Sequence, residues 1–470
     1  FCIFWPLITF YPSSFPMNRT ANAQNRRNFI KTSGAAGLGL GVWSSTTPLF
    51  GQSAPNNKIV VAVMGLNGRG GNLTDEILKI DGMEIAYICD VDDAAIGKGL
   101  EKVTAAGTQK RKAKGVNDFR EALDDKDVDA LVIAAPDHWH TPATLMALDA
   151  GKHVYVEKPC GHNAQEGEML LEAEKKYDRV IQMGNQQRSA PDSIQIVQEI
   201  RDGLIGTPYF GKAWYANTRD SIGTGKQADV PAGLNYELWQ GPAPRQPYQD
   251  NLIHYNWHWF EAYGTGEICN NGTHEIDICR WALGVDYPTL VSSQGGRYHY
   301  DDDWEFYDTQ VTSFDFDDAK TITWEGRSCN GRPVEGRGRG SAIYGTEGTV
   351  ILDRNGYEVY DRQNKLIKEK RADEEAATMD TRGGDSMTRR HIDNFRAGIV
   401  DNATLHSPID EGHKSVLLCH LGNIAQKTKR TLTTDPTNGH IKNDKEAEQM
   451  WGREYASGWA PDMKALGMKG

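Results

Sequence analysis

The chain predicts an α/β dinucleotide-binding domain with a parallel, doubly wound sheet, followed by an α+β domain on a large, mainly antiparallel open sheet. Three observations carry this. Strand-like and helix-like runs alternate from Lys58 to about Gly184, an order that sets strands in parallel with helices between them. A glycine-rich turn, Gly65-Leu66-Asn67-Gly68-Arg69-Gly70, follows the first strand, where such sheets seat a pyrophosphate. Past Gly184 the alternation gives way to successive strand-like runs. The expected boundaries are 1–54 for a leader, 55–184 for the dinucleotide domain, and 185–470 for a substrate domain with a C-terminal tail.

The leader holds Asn25-Arg26-Arg27-Asn28-Phe29-Ile30-Lys31, a twin-arginine motif, then an uncharged Gly- and Ala-rich stretch to about Trp43. Its apolar part is roughly 12 residues, short of the ~20 that span a bilayer. A small-residue region runs through Ser53-Ala54. This is the layout of a cleavable twin-arginine export signal, so the expected location is the periplasm, without a membrane anchor. Residues 1–16 precede Met17 and read as upstream translated sequence. That route moves folded proteins, so a nicotinamide cofactor would travel inside and be recycled in place.

The net charge is −12. Residues 1–54 contain Arg19, Arg26, Arg27 and Lys31 and no acids, which leaves −16 on the remainder. Such a balance argues against nucleic acid or an anionic membrane as partner. The seven cysteines form no CxxC pair, so zinc-ribbon and thioredoxin readings have no support.

In the first domain, strands are expected at Ile59–Val63, Met83–Cys89, Val128–Ala135, His153–Val156 and Val180–Met183. Helices are expected at about Leu73–Ile80, Ala94–Ala105, Phe119–Leu123, Pro142–Ala150 and Gln165–Lys176. Thr141 before Pro142 reads as an N-cap followed by an N1 proline, and Asn163-Ala164-Gln165-Glu166 has capping-box spacing. The phosphate turn departs from GxGxxG, because its second glycine is Asn67. Asp90 ends the second strand, 20 residues past Gly70. A carboxylate there accepts from a ribose 2′-OH and repels a 2′-phosphate, which favours NAD. Arg69 keeps NADP open, since it could reach a 2′-phosphate.

Glu157-Lys158-Pro159 closes the strand at His153–Val156. Its lysine stands at the carboxyl end of a parallel strand, where open α/β sheets bind ligands. Downstream, Asn270 and His274 lie four apart in Cys269-Asn270-Asn271-Gly272-Thr273-His274, on one face if the segment is helical. Strand-like runs follow at Thr289–Tyr300, Thr309–Phe316, Thr321–Trp324, Ser341–Tyr344 and Thr349–Leu352, then a helix–loop–helix at Met387–Ala425.

These motifs together resemble the Gfo/Idh/MocA oxidoreductases, over nearly all of residues 58–460. The resemblance implies an NAD(P)-dependent enzyme acting on CH–OH groups of a sugar, polyol or glycoside. It implies cofactor contacts from Gly65, Asn67, Gly68, Arg69, Gly70, Asp90, Pro136, His140, Glu157 and Lys158. Lys158 and His274 match the family's catalytic lysine and histidine, and the family's aspartate position holds Asn270. An amide orients an imidazole or a hydroxyl but carries no proton. Asp277 would either hold His274 or cap a neighbouring segment. Arg188 would either bond the substrate or cofactor or form a surface ion pair.

His254-Tyr255-Asn256-Trp257-His258-Trp259 offers histidines at i,i+4, a zinc-compatible spacing. No third ligand stands at diagnostic spacing, and the expected reading is an aromatic sugar-contact loop with Trp257 and His258 on the substrate, and no metal. The resemblance also implies a homodimer or homotetramer packed through the open sheet. The competing activity is an NAD-dependent glycosidase that oxidises C3 transiently, eliminates the leaving group and returns the hydride; Lys158 argues against it.

Overall fold

The structure, a computed structural model, describes residues 58–371 and 386–468. The twin-arginine motif lies outside them. The first sheet contains β1 (Ile59–Met64), β2 (Met83–Cys89), β3 (Lys114–Val116), β4 (Ala130–Ile133), β5 (His153–Val156) and β6 (Ile181–Met183), in the order β3-β2-β1-β4-β5-β6. All its pairings are parallel. Buried aliphatics fill both faces of β1 and β4, as a sheet covered by helices on two sides requires. Between the strands run α1 (Arg69–Ile77), α2 (Asp93–Ala106), α3 (Arg120–Leu123), α4 (Asp137–Asp149) and α5 (Ala164–Lys176).

The register aligns the strand ends. Met64 pairs with Cys89 and with Ile133, and Ile133 pairs with Val156. Asp90, Gly65, Ala134 and Glu157 therefore follow one another along a single edge, across the point where strand order reverses between β1 and β4. That is where an open α/β sheet forms its ligand crevice.

α4 starts five residues before the expected helix. Thr141 is not its cap, and Pro142 sits inside it. A proline there cannot donate to the carbonyl of His138. The Arg453 guanidinium, from the C-terminal tail, donates to that oxygen at 2.7 Å. At α5 the Asn163 side chain accepts from Glu166 N, as a cap should, but Glu166 reaches back to His162 N rather than to Asn163 N.

After α6 (Pro191–Arg201), the second sheet gathers β7 (Pro208–Ala216), β8 (Leu290–Gly296), β9 (Thr309–Phe316), β10 (Lys320–Arg327), β11 (Arg339–Gly345), β12 (Gly348–Asp353), β13 (Gly356–Asp361), β14 (Leu366–Arg371), β15 (Leu432–Thr434) and β16 (Ile441–Lys442). Its order is β14-β13-β12-β11-β7-β10-β9-β8-β15-β16, antiparallel except for β7 with β10. α8 (Thr273–Leu283) and α10 (Ile409–Thr428) lie on one face, with α9 (Ser386–Val400) against α1. β9 alternates accordingly: Gln310, Thr312, Phe314 and Phe316 are buried, while Val311 on the other face is 50% exposed. Between β7 and α8 a long insertion carries α7 (Tyr236–Gln240) and its own aromatic core of Tyr236, Trp239, Tyr248, Phe260 and Tyr263.

Candidate active site

The aligned strand ends, the insertion and the start of α8 enclose one cavity of about 660 Å³. Gly65, Asn67, Gly68, Arg69, Asp90, Pro136, His140, Glu157, Lys158, Trp257, His258, Asn270 and His274 all line it. Gly70 does not: it is packed beneath the turn, where a Cβ would meet the Gly65 carbonyl at 1.6 Å.

The dinucleotide end is built from backbone. Gly68 has φ +63° and no atom within 4 Å of where its Cβ would be, so the turn opens into the crevice. Gly68 also precedes α1 without a side-chain cap, which leaves helix N–H groups and the positive end of the dipole for an anion. Asp90 braces this turn, accepting from Leu66 N at 2.6 Å and from Asp92 N at 3.1 Å. Burial raises the pKa of its carboxyl above the ordinary range, against the pull of those two N–H groups. These residues fit a dinucleotide diphosphate and its ribose.

Arg69 turns toward the sheet. Its Nε donates to Glu157 at 2.8 Å and its Nη1 to Asn72 at 2.6 Å. His140 is fixed by two backbone carbonyls, Pro159 O at 2.5 Å and Ala135 O at 2.8 Å. It serves as part of the crevice wall.

Residues 268–272 form a π-helical turn ahead of α8, so the regular helical face expected for positions 270 and 274 does not form. Such wide turns re-aim side chains and recur at functional sites. Gly272 makes it possible, since a Cβ there would press on buried Trp324 at 3.1 Å. The turn directs Asn270 at the lysine: Lys158 Nζ donates to the Asn270 carbonyl at 2.6 Å and to its Oδ1 at 3.1 Å. Burial lowers the pKa of the Lys158 ammonium, with Asp137, Glu157 and Glu267 opposing that shift. The His274 imidazole opens on the cavity. Burial holds its pKa well below the usual histidine range, and the charges of Arg354 and Lys158 add to the effect. It is a neutral imidazole, fit to take a proton.

Arg188 and Asp277 are not brought to this cavity. They pair with each other through two bonds of 2.8 and 2.9 Å, and Ser415 also donates to Asp277 at 2.6 Å. Both are buried, and a buried charge holds its place only when paired. Arg188 thus forms an ion pair, but a buried one rather than the expected surface pair, and Asp277 does not hold His274.

The histidine loop forms a 3₁₀ turn at Asn256–Trp259. His254 bonds Asn67 at 3.0 Å and Asp92 at 2.8 Å across the crevice mouth. Trp257 and His258 stack at 3.6 Å. Sequence reasoning missed Tyr215, Asn217, Arg219, Arg339 and Arg354, which line the substrate end. Tyr215 lies near the end of β7, Asn217, Arg219 and Arg354 follow strands and Arg339 begins β11, and nothing local marks them.

An NAD-binding oxidoreductase is the class that this fold and crevice define. Residues 59–185 match the family model described as "Oxidoreductase family, NAD-binding Rossmann fold", and residues 210–349 match its companion, "Oxidoreductase family, C-terminal alpha/beta domain". The chain belongs to the Gfo/Idh/MocA oxidoreductase family, and its cofactor is NAD.

Among curated relatives, a "Glycosyl hydrolase family 109 protein" of Saccharopolyspora erythraea is 32% identical over 213 residues, 42% of this chain and 46% of that protein. An "Alpha-N-acetylgalactosaminidase" of Shewanella oneidensis is 26% identical over 209 residues, 41% of this chain and 46% of that one. The match thus spans about half the length of these relatives. Among solved structures, levoglucosan dehydrogenase in complex with NADH and levoglucosan superposes with a TM-score of 0.61 at 16% identity, covering 80% of this chain and 99% of that one. The aldose-aldose oxidoreductase of Caulobacter crescentus, complexed with glycerol, gives 0.60 at 17%, again over 80% and 99%. At these identities the solved structures establish a common fold.

Proposed function

We propose that the protein oxidises a CH–OH group of a sugar, polyol or glycoside with NAD that it retains between turnovers. The observation that carries this is the convergence of Lys158 and neutral His274 on the cavity into which the glycine-rich turn opens. NAD supplies the hydride acceptor. His274 removes the hydroxyl proton as general base. Lys158 spends two N–H bonds on Asn270 and has a third for the same substrate oxygen, stabilising alkoxide as the C–H bond breaks. Trp257 and His258 present an aromatic surface to the sugar ring.

Retention of the cofactor has its own support. The insertion clasps the outer crevice wall: Asp93 N donates to Gly233 O at 2.9 Å and Asn235 N to Val91 O at 2.8 Å, while His254 bridges Asn67 and Asp92. A bound cofactor must be regenerated by a second carbonyl substrate or by the product itself. The second case is the glycosidase reading, in which the hydride returns after the leaving group departs. The glycosidase names of the curated relatives favour it.

Incubating purified holoprotein with a panel of glycosides separates these readings. Ketosugar, detected by mass spectrometry with reduced nicotinamide, supports the oxidoreductase. Released aglycone with no net reduction supports the glycosidase. Neither product across the panel would overturn both.

Twin-arginine export to the periplasm, from Arg26 and Arg27, is part of the proposal; replacing both by lysine should leave precursor in the cytoplasm. So is a homodimer or homotetramer through the outer sheet face, where Val311 and the Phe210–Tyr344 pair lie. A monomer by light scattering at micromolar concentration would refute it.

A further inference from the structure

Lys158 is held by an amide. An amide has two ends, and at ordinary geometry nothing intrinsic decides which one faces a neighbour. At Asn270 the surroundings decide. Its Oδ1 faces the Lys158 ammonium at 3.1 Å, and its Nδ2 faces Glu267 Oε1 at 3.5 Å. Flipping the amide would set NH₂ against ammonium and oxygen against carboxylate. The Asn270–Glu267 contact is long, so its effect is mainly one of charge and orientation.

Glu267 lies one turn before Asn270, buried and outside the cavity lining. Its Oε1 also accepts from Asn271 Nδ2, and its Oε2 from Arg219 Nε at 2.8 Å and Ser328 Oγ at 2.9 Å. Burial alone would raise its pKa. Arg219 and these hydrogen bonds outweigh that, so it stays ionised. A charged carboxylate this deep is costly unless it is fully bonded, and here it is.

We propose that Glu267 is a positioning residue of this site: it orients the Asn270 amide and thereby fixes the Lys158 ammonium, supplying from one turn away the negative charge that position 270 lacks. This rests on Lys158 being the group that bonds the substrate oxygen. The other charges near Lys158 are Asp137 from α4, its neighbour Glu157 and Arg69 from α1, with His258 and His274 also facing it. Asp137 and Glu157 remain when Glu267 is changed, so the loss is partial.

The test is a titration of Lys158 itself, without any sugar. Holoprotein carrying ¹³Cε-labelled lysine is followed by NMR across pH, with Lys158→Arg assigning the signal. Removing a nearby negative charge disfavours ammonium. Glu267→Gln should move the Lys158 midpoint to lower pH by about one unit, a tenfold rise in its acid dissociation constant. Adding Asn270→Asp should move it back. Glu267→Asp keeps the charge but withdraws it by one methylene, and should shift the midpoint in the same direction by less; it serves if Glu267→Gln does not fold.

An unchanged midpoint in Glu267→Gln, or in Glu267→Asp when that is the variant that folds, overturns the proposal, whatever the melting temperature does. Failure of the catalytic reading would show separately, as normal turnover in Lys158→Ala.

Discussion

Arg69 Nε donates to Glu157 Oε1 at 2.8 Å, tying the glycine-rich turn to the end of β5. The same guanidinium bonds Asn72. A 2′-phosphate would have to draw Arg69 away from a buried carboxylate, and that costs more than an exposed pair would. Asp90, at the neighbouring strand end, repels such a phosphate. The purified protein should therefore carry NAD. Asp90→Ala should lower the preference for NAD over NADP by roughly 10–100-fold, the worth of a charged hydrogen bond at about 1.5–3 kcal/mol. Mass spectrometry of the released cofactor and competition binding check this. NADP in the wild-type protein would refute it.

Much of the first domain is legible because its strands are apolar runs between turn residues. β2 and β5 fall on their expected bounds, and the glycine-rich turn, Asp90 and Lys158 meet because parallel register aligns strand ends. What was not legible depends on distant partners. Thr141-Pro142 reads locally as a helix start, yet α4 begins at Asp137 because Arg453, far along the chain, takes the carbonyl that Pro142 strands. Arg188 and Asp277 find each other across 89 positions. The π-turn that aims Asn270 at Lys158 rather than at His274 leaves no mark in the i,i+4 spacing. It follows from how residues 268–272 lie against Trp324 on β10.

The tail should contribute substantially to stability through Arg453. Besides the His138 carbonyl, this side chain meets buried Glu166 at 2.6 Å. Arg453→Met removes the cation beside a buried carboxylate, which keeps its bonds from His162 N and the Tyr455 hydroxyl, and takes the donor from the His138 carbonyl; breaking such a buried pair costs about 3–5 kcal/mol. Adding Pro142→Ala restores an N–H for His138 O and should regain about 1 kcal/mol. Urea denaturation of the single and double variants measures both. A loss below about 1 kcal/mol in Arg453→Met would show that the tail is held by other contacts.

Acid should destabilise the fold well before carboxylates protonate. Burial depresses the pKa of His138 and His413 to about 3 and of His391 and His420 to about 4. Unfolded, each titrates near 6.5. Between about 6.5 and 4 the unfolded chain binds more protons, so stability is full above 6.5 and falls as pH drops through that window. Each histidine contributes up to about 1.4 kcal/mol per pH unit there. Glu411, held near 2 by Arg280 and Arg188 against its burial, stays charged in the fold through this window and adds its own loss of stability only as pH falls through about 4.3, where the unfolded carboxylate takes up its proton. Thermal melts from pH 7.5 to 4.5 should show a steady fall in melting temperature beginning near 6.5. A flat profile to pH 5 would contradict the neutral assignment of these imidazoles.

Lys158 and His274 should separate into two limbs of one pH profile. Lys158→Ala and His274→Ala should each lower turnover by roughly 10²–10⁴, the range for a positioned acid–base group. NAD should remain bound in both, since neither side chain holds the glycine-rich turn. His274 is neutral well below the ordinary histidine range, so the acid limb of NAD reduction should lie below about pH 6.5. The alkaline limb belongs to Lys158, whose ammonium must survive to donate. Asn270 bonds Lys158 and not His274, so Asn270→Asp should push the alkaline limb to higher pH and move the acid limb less, because a carboxylate favours the ammonium it touches. Asn270→Ala should cost less than losing either Lys158 or His274. Pre-steady-state reduction of the bound cofactor, recorded across pH with whichever glycoside the panel identifies, reads both limbs. An acid limb that moves more than the alkaline one in Asn270→Asp would place Asn270 with the histidine after all, and the lysine would then lose its assigned partner.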